Sequence, residues 1–339
     1  MIASDDLQIP RATADEIWDQ VEKDFLAAAD MLPEAWANDA DLGRATRTAA
    51  WGFLVKAYLW REKWDDAITY SERIINTGRH ALIQTGFRDI FREENENNEE
   101  ILFSTQFSTQ TGEQNNLVAR TAPRGAPSIY TGPSAWSNFV PNHQLVDAFE
   151  VNKDNSIRDE RYNVIMGPGE IHPENGYQLP EVPPAGMTRT GYIVTKYWYM
   201  PPVQGSGINA PILRYSEVLL NYAEALNEKG QSQKAMELVN QIRLRAKLDA
   251  KPVTLSKSQV LDAIFDERRL EFIWEPTGSF NDLNRRGRFL DFIKKNRPDY
   301  GELEVDKKPW LHTTPILFPI PTDAWTKNKA LEQNPHYTF

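Results

Sequence analysis

Leu213-Arg-Tyr-Ser-Glu-Val-Leu-Leu-Asn-Tyr-Ala-Glu-Ala-Leu-Asn227 is the stretch whose reading decides the fold class. Tyr215, Val218, Leu219, Tyr222, Ala223 and Leu226 recur at helical spacing, and Gly230 supplies the stop. Ala235, Leu238, Val239 and Ile242 then repeat the pattern beyond a tight turn. An antiparallel helix pair is predicted.

Upstream, Trp51, Leu54, Tyr58 and Leu59 mark a helix over about 45–62, and Ala67, Ile68, Ile74 and Ile75 mark another over about 64–77, with Gly78 after it. Sliding the chain by 168 residues lays Ala67 on Ala235, Trp51 on Leu219, Leu54 on Tyr222, Tyr58 on Leu226 and Ile74 on Ile242. Large residues followed by a small Ala across a turn are the pattern of a tetratricopeptide unit of about 34 residues. Such a unit cannot bury its apolar face alone and needs a stacking neighbour. Ordinary antiparallel helix pairs are the competing reading. Thr13-x-x-Glu16 and Ser256-x-x-Gln259 are capping boxes that open two further helices, the first over Ile17, Val21, Phe25, Ala28 and Leu32 and ended by Pro33, the second reaching about Trp274.

Between the helical zones, about 11–80 and 211–339, lies a different middle zone over about 81–210. It is rich in Pro and Gly, as in APRGAPSIYTGP, with strand-like pieces at Glu100-Ile-Leu-Phe-Ser-Thr-Gln-Phe107 and Tyr192-Ile-Val-Thr-Lys-Tyr-Trp-Tyr199. The expected architecture is a mainly α single domain. Tetratricopeptide-like helix pairs pack against an irregular, loop-rich half with short strands.

Composition narrows the function. The 339 residues carry 38 basic and 48 acidic groups, a net charge of −10, which disfavours a nucleic-acid partner because phosphate contacts need clustered Lys and Arg. No Cys is present, which removes disulfides, thiolate metal sites and a thiol nucleophile. No run of about 18 apolar residues is available to span a membrane. His80, His143, His172, His312 and His336 are too scattered for metal-ligand spacing. The acidic run 93–100 lacks the glycine and alternation of a calcium loop and reads as a solvated turn. No nucleotide, nucleophile-elbow or dinucleotide motif occurs, and no cofactor is implied. Residues 234–297 hold 14 Lys or Arg against 9 Asp or Glu, a local excess expected to be neutralised by the chain's own acidic helices or to face solvent.

Several segments together resemble the SusD/RagB family of outer-membrane nutrient-binding lipoproteins. The helix 213–227 is similar to its "LRYAEVLLMYAEALN". Asn240-Gln-Ile-Arg243 is similar to "N.IR.RA", and Glu267-Arg-Arg-Leu-Glu-Phe272 to "ERR.EF". Asn98-Glu-Glu-Ile-Leu-Phe103 and Leu145-Val-Asp-Ala-Phe149 are similar to two middle segments, and Leu317 to Tyr337 to the closing "L.PIP....NP.L.QN.GY". The resemblance runs from about Ala12 to the end. It implies a cell-surface protein that binds glycan without cleaving it and pairs with a SusC-like TonB-dependent transporter. It also implies an upstream region with an anchoring Cys, so that this chain is N-terminally incomplete, lacks some ligand residues and leaves an apolar helix face exposed near 13–62. The family's "EG.R" and the Arg of "R..DL.R.G" are replaced here by Glu275-Pro-Thr-Gly-Ser279, so the turn after that helix is expected to be rebuilt.

Sugar binding needs flat aromatic faces for C–H groups and amides and carboxylates for hydroxyls. Tyr130, Trp136, Asn138 and Phe139 offer both within one loop. These are the expected ligand residues, weighed against a core role for Trp136 and Phe139. Tyr197-Trp198-Tyr199 reads as core, with strand alternation placing Trp198 opposite its neighbours. No catalytic residue stands out. Two rival readings are an α-helical glycoside hydrolase, since acid pairs abound, and a tetratricopeptide-like peptide scaffold.

Overall fold

The computed structural model describes residues 8–125, 135–152, 156, 158–174, 176–198, 206–275, 279–296, 315–335 and 337–338. In chain order, α1 (Ala14–Met31), α2 (Arg47–Trp60) and α3 (Trp64–Asn76) come first. The middle contains β1 (Ile101–Thr105), α4 (Leu117–Thr121), α5 (His143–Val146), β2 (Ile165–Met166), β3 (Ile193–Val194) and β4 (Ala210–Arg214). Then follow α6 (Tyr215–Glu228), α7 (Ser232–Arg245), α8 (Lys257–Glu271), α9 (Ser279–Arg285), α10 (Phe289–Asn296) and α11 (Thr322–Lys327). The fold is mainly helical, as expected. Contacts group the chain into two compact units, 25–278 and 1–24 with 279–339.

In the larger unit the internal repeat is visible at the level of single hydrogen bonds. Lys63 N–H donates to Tyr58 O (2.9 Å) across the α2–α3 turn, and Gln231 N–H donates to Leu226 O (2.8 Å) across the α6–α7 turn, at the same offset of 168. Both bonds close a left-handed C-cap. Gly230 takes that conformation without strain (φ 79°), whereas the equivalent residue in the first pair is Glu62 (φ 54°). Ala67 and Ala235 are fully buried where the helices of each pair meet. α3 packs on α6, so the pairs stack in space although roughly 140 residues separate them in the chain. α8 covers α6 and α7, opened by the Ser256–Gln259 capping box. Val218, Leu219, Val239, Ile242, Val260 and Ile264 form the core between them.

The loop-rich half has its own core of Phe87, Phe91, Val118, Phe149, Val164, Leu179 and Ile193, among others. Its sheets are small: β1 pairs antiparallel with β4, from Ile101 opposite Arg214 to Thr105 opposite Ala210, and β2 pairs with β3. The strand expected over 192–199 shrinks to Ile193–Val194. Trp198 is therefore not opposite Tyr197: both are buried, because the backbone leaves the pleat after β3. Each has its polar end satisfied, Tyr197 Oη by Trp274 O (3.1 Å) and Trp198 Nε1 by Thr121 Oγ1 (3.2 Å). Tyr199 lies outside the described residues.

A lattice of buried charges joins the two halves of this unit. Arg214, where β4 becomes α6, donates to Glu100 just before β1, to Glu271 Oε1 (2.9 Å) on α8 and to both carboxylate oxygens of Glu275 (2.7 and 2.8 Å). Arg245 on α7 binds Glu100 Oε2 (3.1 Å) and Glu271. Glu267 on α8 takes Arg161 Nη1 (2.8 Å) and Arg243 Nη1 (2.7 Å), and Arg161 also grips Asp159 with two parallel bonds. Lys196 pairs with Glu275 and lies 4.1 Å from the Phe91 ring centroid. Burial alone would raise the Glu271 carboxyl, but Arg245, Arg214 and Arg161 outweigh it and hold that carboxyl well below the usual range. Burial also brings the Lys196 ammonium down to about 8 against the pull of Glu275.

This lattice corrects one expectation. The acidic run 93–100 is not simply a solvated turn: Glu100 is fully buried, and Glu96 accepts the Asn209 backbone N–H (2.6 Å) just ahead of β4. The local basic excess over 234–297 is neutralised internally at Arg243, Arg245 and Arg268, the last paired with Glu217 (3.4 Å) and also donating to Asn221 Oδ1 (2.8 Å).

The smaller unit uses the closing motif. The Gln333 side chain brackets the Ile320 backbone, accepting its N–H (2.7 Å) and donating to its carbonyl (2.9 Å), and Asn334 donates to Phe318 O (2.7 Å). Phe280 of α9 sits against Phe289 and Phe318. Gln8 and Asn328 tie the N-terminal stretch to the tail, through Gln8 Nε2 to Lys327 O (2.9 Å) and Asn328 Nδ2 to Ile9 O (2.8 Å). On α1, whose Thr13–Glu16 box is formed, Ile17, Leu26 and Met31 are exposed, whereas Leu54, Val55, Tyr58 and Leu59 of α2 are buried.

Two outcomes follow from the buried charges. Arg214→Ala leaves three carboxylates without their fork and should cost about 3–5 kcal/mol in urea unfolding, with Arg214→Lys recovering little of it; an unchanged midpoint would refute the role given to the lattice. Burial raises the Glu96 carboxyl to about 7 from 4.5, with Asn209 opposing and Glu93 adding to the shift. The folded chain thus binds that proton more tightly than the unfolded one, and stability falls as pH rises between those values. Glu96→Gln should raise the urea midpoint at about pH 8 and leave it unaltered near pH 4; a gap independent of pH would contradict this.

Candidate functional site

Three of the four residues expected to meet ligand lie on one short segment of the larger unit, docked on α4. Four successive backbone N–H groups attach it. Trp136 donates to Ala119 O (2.8 Å), Ser137 to Ala122 O (3.1 Å), and Asn138 and Phe139 both to Arg120 O (2.9 and 3.3 Å). These carbonyls belong to the last turn of α4 and its exit, which a helix leaves unsatisfied. The geometry requires a sharp reversal, provided by Ser137 in the left-handed region (φ 47°). Arg124 Nε donates to Trp136 O (3.0 Å) and fixes the segment from its other side. Tyr130 lies outside the described residues.

The side chains form a ledge. Trp136 and Phe139 are half-buried, and Arg120 lies by both rings, its guanidinium carbon 5.7 Å from the Trp136 centroid and 5.9 Å from that of Phe139. Phe139 in turn meets Trp274, ring centroids 4.5 Å apart and tilted by 46°. Arg120 and Asn138 are exposed, and no carboxylate among the described residues pairs with Arg120. The undersides of Trp136 and Trp274 pack on the core of the loop-rich half. Trp136 thus carries part of the core role expected of it, while Phe139 packs on Trp274.

Trp274 was not among the expected residues. It carries a left-handed backbone (φ 63°), an outlier for so bulky a residue, and its buried indole Nε1 has no hydrogen-bond partner among the described residues. It stands at the turn where the chain departs from the "EG.R" pattern, and that departure is the one sequence signal that could have drawn attention to it. Arg120 had no such signal, since only the folding of 136–139 onto α4 brings it between the rings.

Chemically, the ledge offers apolar ring faces flanked by a guanidinium and an amide. That combination suits ring C–H faces edged by hydroxyls. Among the described residues no three His, Asp or Glu side chains converge as a metal site.

Ser137→Gly removes the left-handed strain and an unpartnered buried hydroxyl, and should stabilise the protein by about 1 kcal/mol in urea unfolding. Ser137→Pro, with φ fixed near −65°, should undo the docking of 136–139 and quench nothing else in the core. Destabilisation by the Gly variant would show the reversal to be held in some other way.

Known proteins agree with this architecture. Residues 99–337 match the family model described as SusD family, and residues 2–59 match one described as starch-binding associating with outer membrane. A SusD-like protein of Bacteroides ovatus is 26% identical over 388 residues, which cover 97% of this chain and 68% of that one. A crystal structure of a SusD-like protein from Bacteroides fragilis aligns with a TM-score of 0.79 at 24% identity, over 99% of this chain and 74% of the other. A structure described as a laminarin binding SusD-like protein aligns with a TM-score of 0.73 at 23% identity, over 96% and 70%. The chain spans about two thirds of the length of the curated relatives it matches.

Proposed function

This chain belongs to the SusD family, and from that premise we propose that it binds glycan at the outer-membrane surface and hands oligosaccharide to a SusC-like TonB-dependent transporter, without cleaving it. The observation that carries the reading is the ledge of Trp136, Phe139 and Trp274 edged by Arg120, which pairs with no carboxylate among the described residues, and by the exposed Asn138. A family model described as starch-binding and a structural relative described as laminarin binding support glucans as the first ligands to try. The lipid anchor and the transporter belong to the proposal as what the family resemblance implies.

Ring faces and hydrogen-bond donors that are already in place cost little ordering on binding, and a shallow ledge releases its ligand readily. Both properties suit capture followed by transfer. Trp136 is the central platform, Phe139 and Trp274 extend it, and Arg120 and Asn138 read hydroxyls at its rim. Tyr130 remains a proposed contributor.

Native affinity electrophoresis in gels containing starch or laminarin tests this. Wild type should be retarded by at least one polysaccharide, and Trp136→Ala should weaken the interaction by about 2 kcal/mol, roughly 30-fold. Incubation with the retarding glycan should yield no shorter product. Absence of retardation on every glycan tried, or turnover abolished by a single carboxylate change, would defeat the proposal.

A further inference from the structure

A half-open cleft of about 200 Å³ lies elsewhere in the larger unit and shares no lining residue with the ledge. Its walls are the α1–α2 connection, the start of α2, the residues after α3 and the approach to β1. The volume lies below the range of drug-sized ligand sites, about 300–1,000 Å³, and admits about one sugar ring.

The walls are held in place. Trp36 donates its indole N–H to Ala45 O (3.0 Å), which sets its ring in the cleft wall. His80 is wedged between Thr48 Oγ1 (2.9 Å from Nε2) and Glu99 O (3.1 Å from Nδ1), and its ring lies 6.3 Å from that of Tyr215. Burial lowers the His80 pKa, so the ring is neutral near pH 7. Gly43 lines the mouth with φ 86°, and any side chain there would run into Gln106, which is bonded in both directions to Asn97 (3.1 Å each).

The lining also indicates what fits. It presents two aromatic rings (Trp36, with the Arg44 guanidinium 5.9 Å from its centroid on one side, and Phe103), one neutral imidazole, two guanidinium groups (Arg44 and Arg79) and two carboxylates (Glu34 and Glu99). Arg44 is bonded to Asp41 (2.9 Å) and Glu34 to Arg47 (3.3 Å). Arg79 and Glu99 are exposed and their side chains hold no partner among the described residues. Balanced charge favours neither an anion nor a cation. An uncharged polyol can use Arg79 as donor, Glu99 as acceptor and the Trp36 face for its C–H groups.

We infer that this cleft is a second saccharide site, taking one sugar ring of a neutral glycan and acting together with the ledge on the same polymer. The inference rests on the glycan reading of the ledge. Two weak sites on one chain raise retention of a long glycan by effective concentration, with no gain for a short one.

Full-length protein labelled with 5-fluorotryptophan separates the two sites. The Trp36 resonance is assigned by its loss in Trp36→Phe, and the Trp136 resonance by its loss in Trp136→Phe. Titration with maltohexaose or laminarihexaose should move the Trp36 signal saturably, also in Trp136→Ala protein. The paired change Arg79→Met with Glu99→Gln should weaken that titration about tenfold while leaving the Trp136 titration as it was. A Trp136 signal that moves while Trp36 stays still would overturn the cleft and leave the ledge standing. Both signals unmoved would count against both sites. A Trp36 shift with inorganic phosphate or glutamate but with neither hexasaccharide would overturn the assignment to a neutral sugar.

Discussion

Two buried carboxylates, Glu100 and Glu271, shared between the Arg214 and Arg245 guanidinium groups, hold the larger unit together. Removing such charges from water costs several kcal/mol per ion, and that cost is offset only when nearly every lone pair and N–H finds a partner. The arrangement comes close to that condition through Arg161, Arg243, Lys196, Glu267, Glu275 and Asp159, with the rings of Phe87, Phe91 and Phe272 on the guanidinium faces; among the described residues Arg245 Nε and Glu271 Oε2 lack a hydrogen bond, the latter lying 3.8 Å from Arg161 Nη1. The members come from the approach to β1, the β4–α6 junction, α7 and α8, so the lattice forms only when loop-rich half and helix pairs are docked. It also gives physical content to the short motifs behind the family resemblance. "LRY" supplies Arg214, "N.IR.RA" supplies Arg243 and Arg245, "ERR.EF" supplies Glu267, Arg268 and Glu271, and the segment 98–103 supplies Glu100.

How much was legible in the sequence follows from the range of the interactions involved. Helices were readable because their caps and apolar periods are local: both capping boxes formed, and the offset of 168 reappeared as equivalent turn bonds. β4 was invisible because Ala210–Arg214 has no alternation of its own and exists through β1. The run 93–100 misled because its composition is that of a surface, while the fate of Glu100 depends on residues 114 and 145 positions away. The candidate site divides in the same way. Trp136, Asn138 and Phe139 were found as neighbours in sequence, whereas Arg120 and Trp274 join them only through the fold.

The ledge and the lattice use polar groups in opposite ways. In the lattice every charge is consumed by a neighbour, and the result is rigidity. At the ledge, backbone groups are consumed by α4, which leaves the Arg120 and Asn138 side chains at the surface with no ion pair or side-chain hydrogen bond among the described residues. Hydrogen bonding is spent on positioning in the main chain and kept available in the side chains. The rings can then be held at fixed angles without any of the groups that read hydroxyls being tied down.

The interrupted repeat has a consequence for how the chain is made. In an uninterrupted array each helix pair meets its neighbour within one repeat of synthesis. Here the face of α3 that α6 will cover leaves the ribosome about 140 residues before α6 begins. At about 5–20 residues per second that surface stays bare for roughly 7–30 s. The first helix pair must therefore be soluble, or escorted, as a half-finished stack. Its later closure is a long-range event, the kind that makes folding slow and couples distant parts of the chain into a single transition.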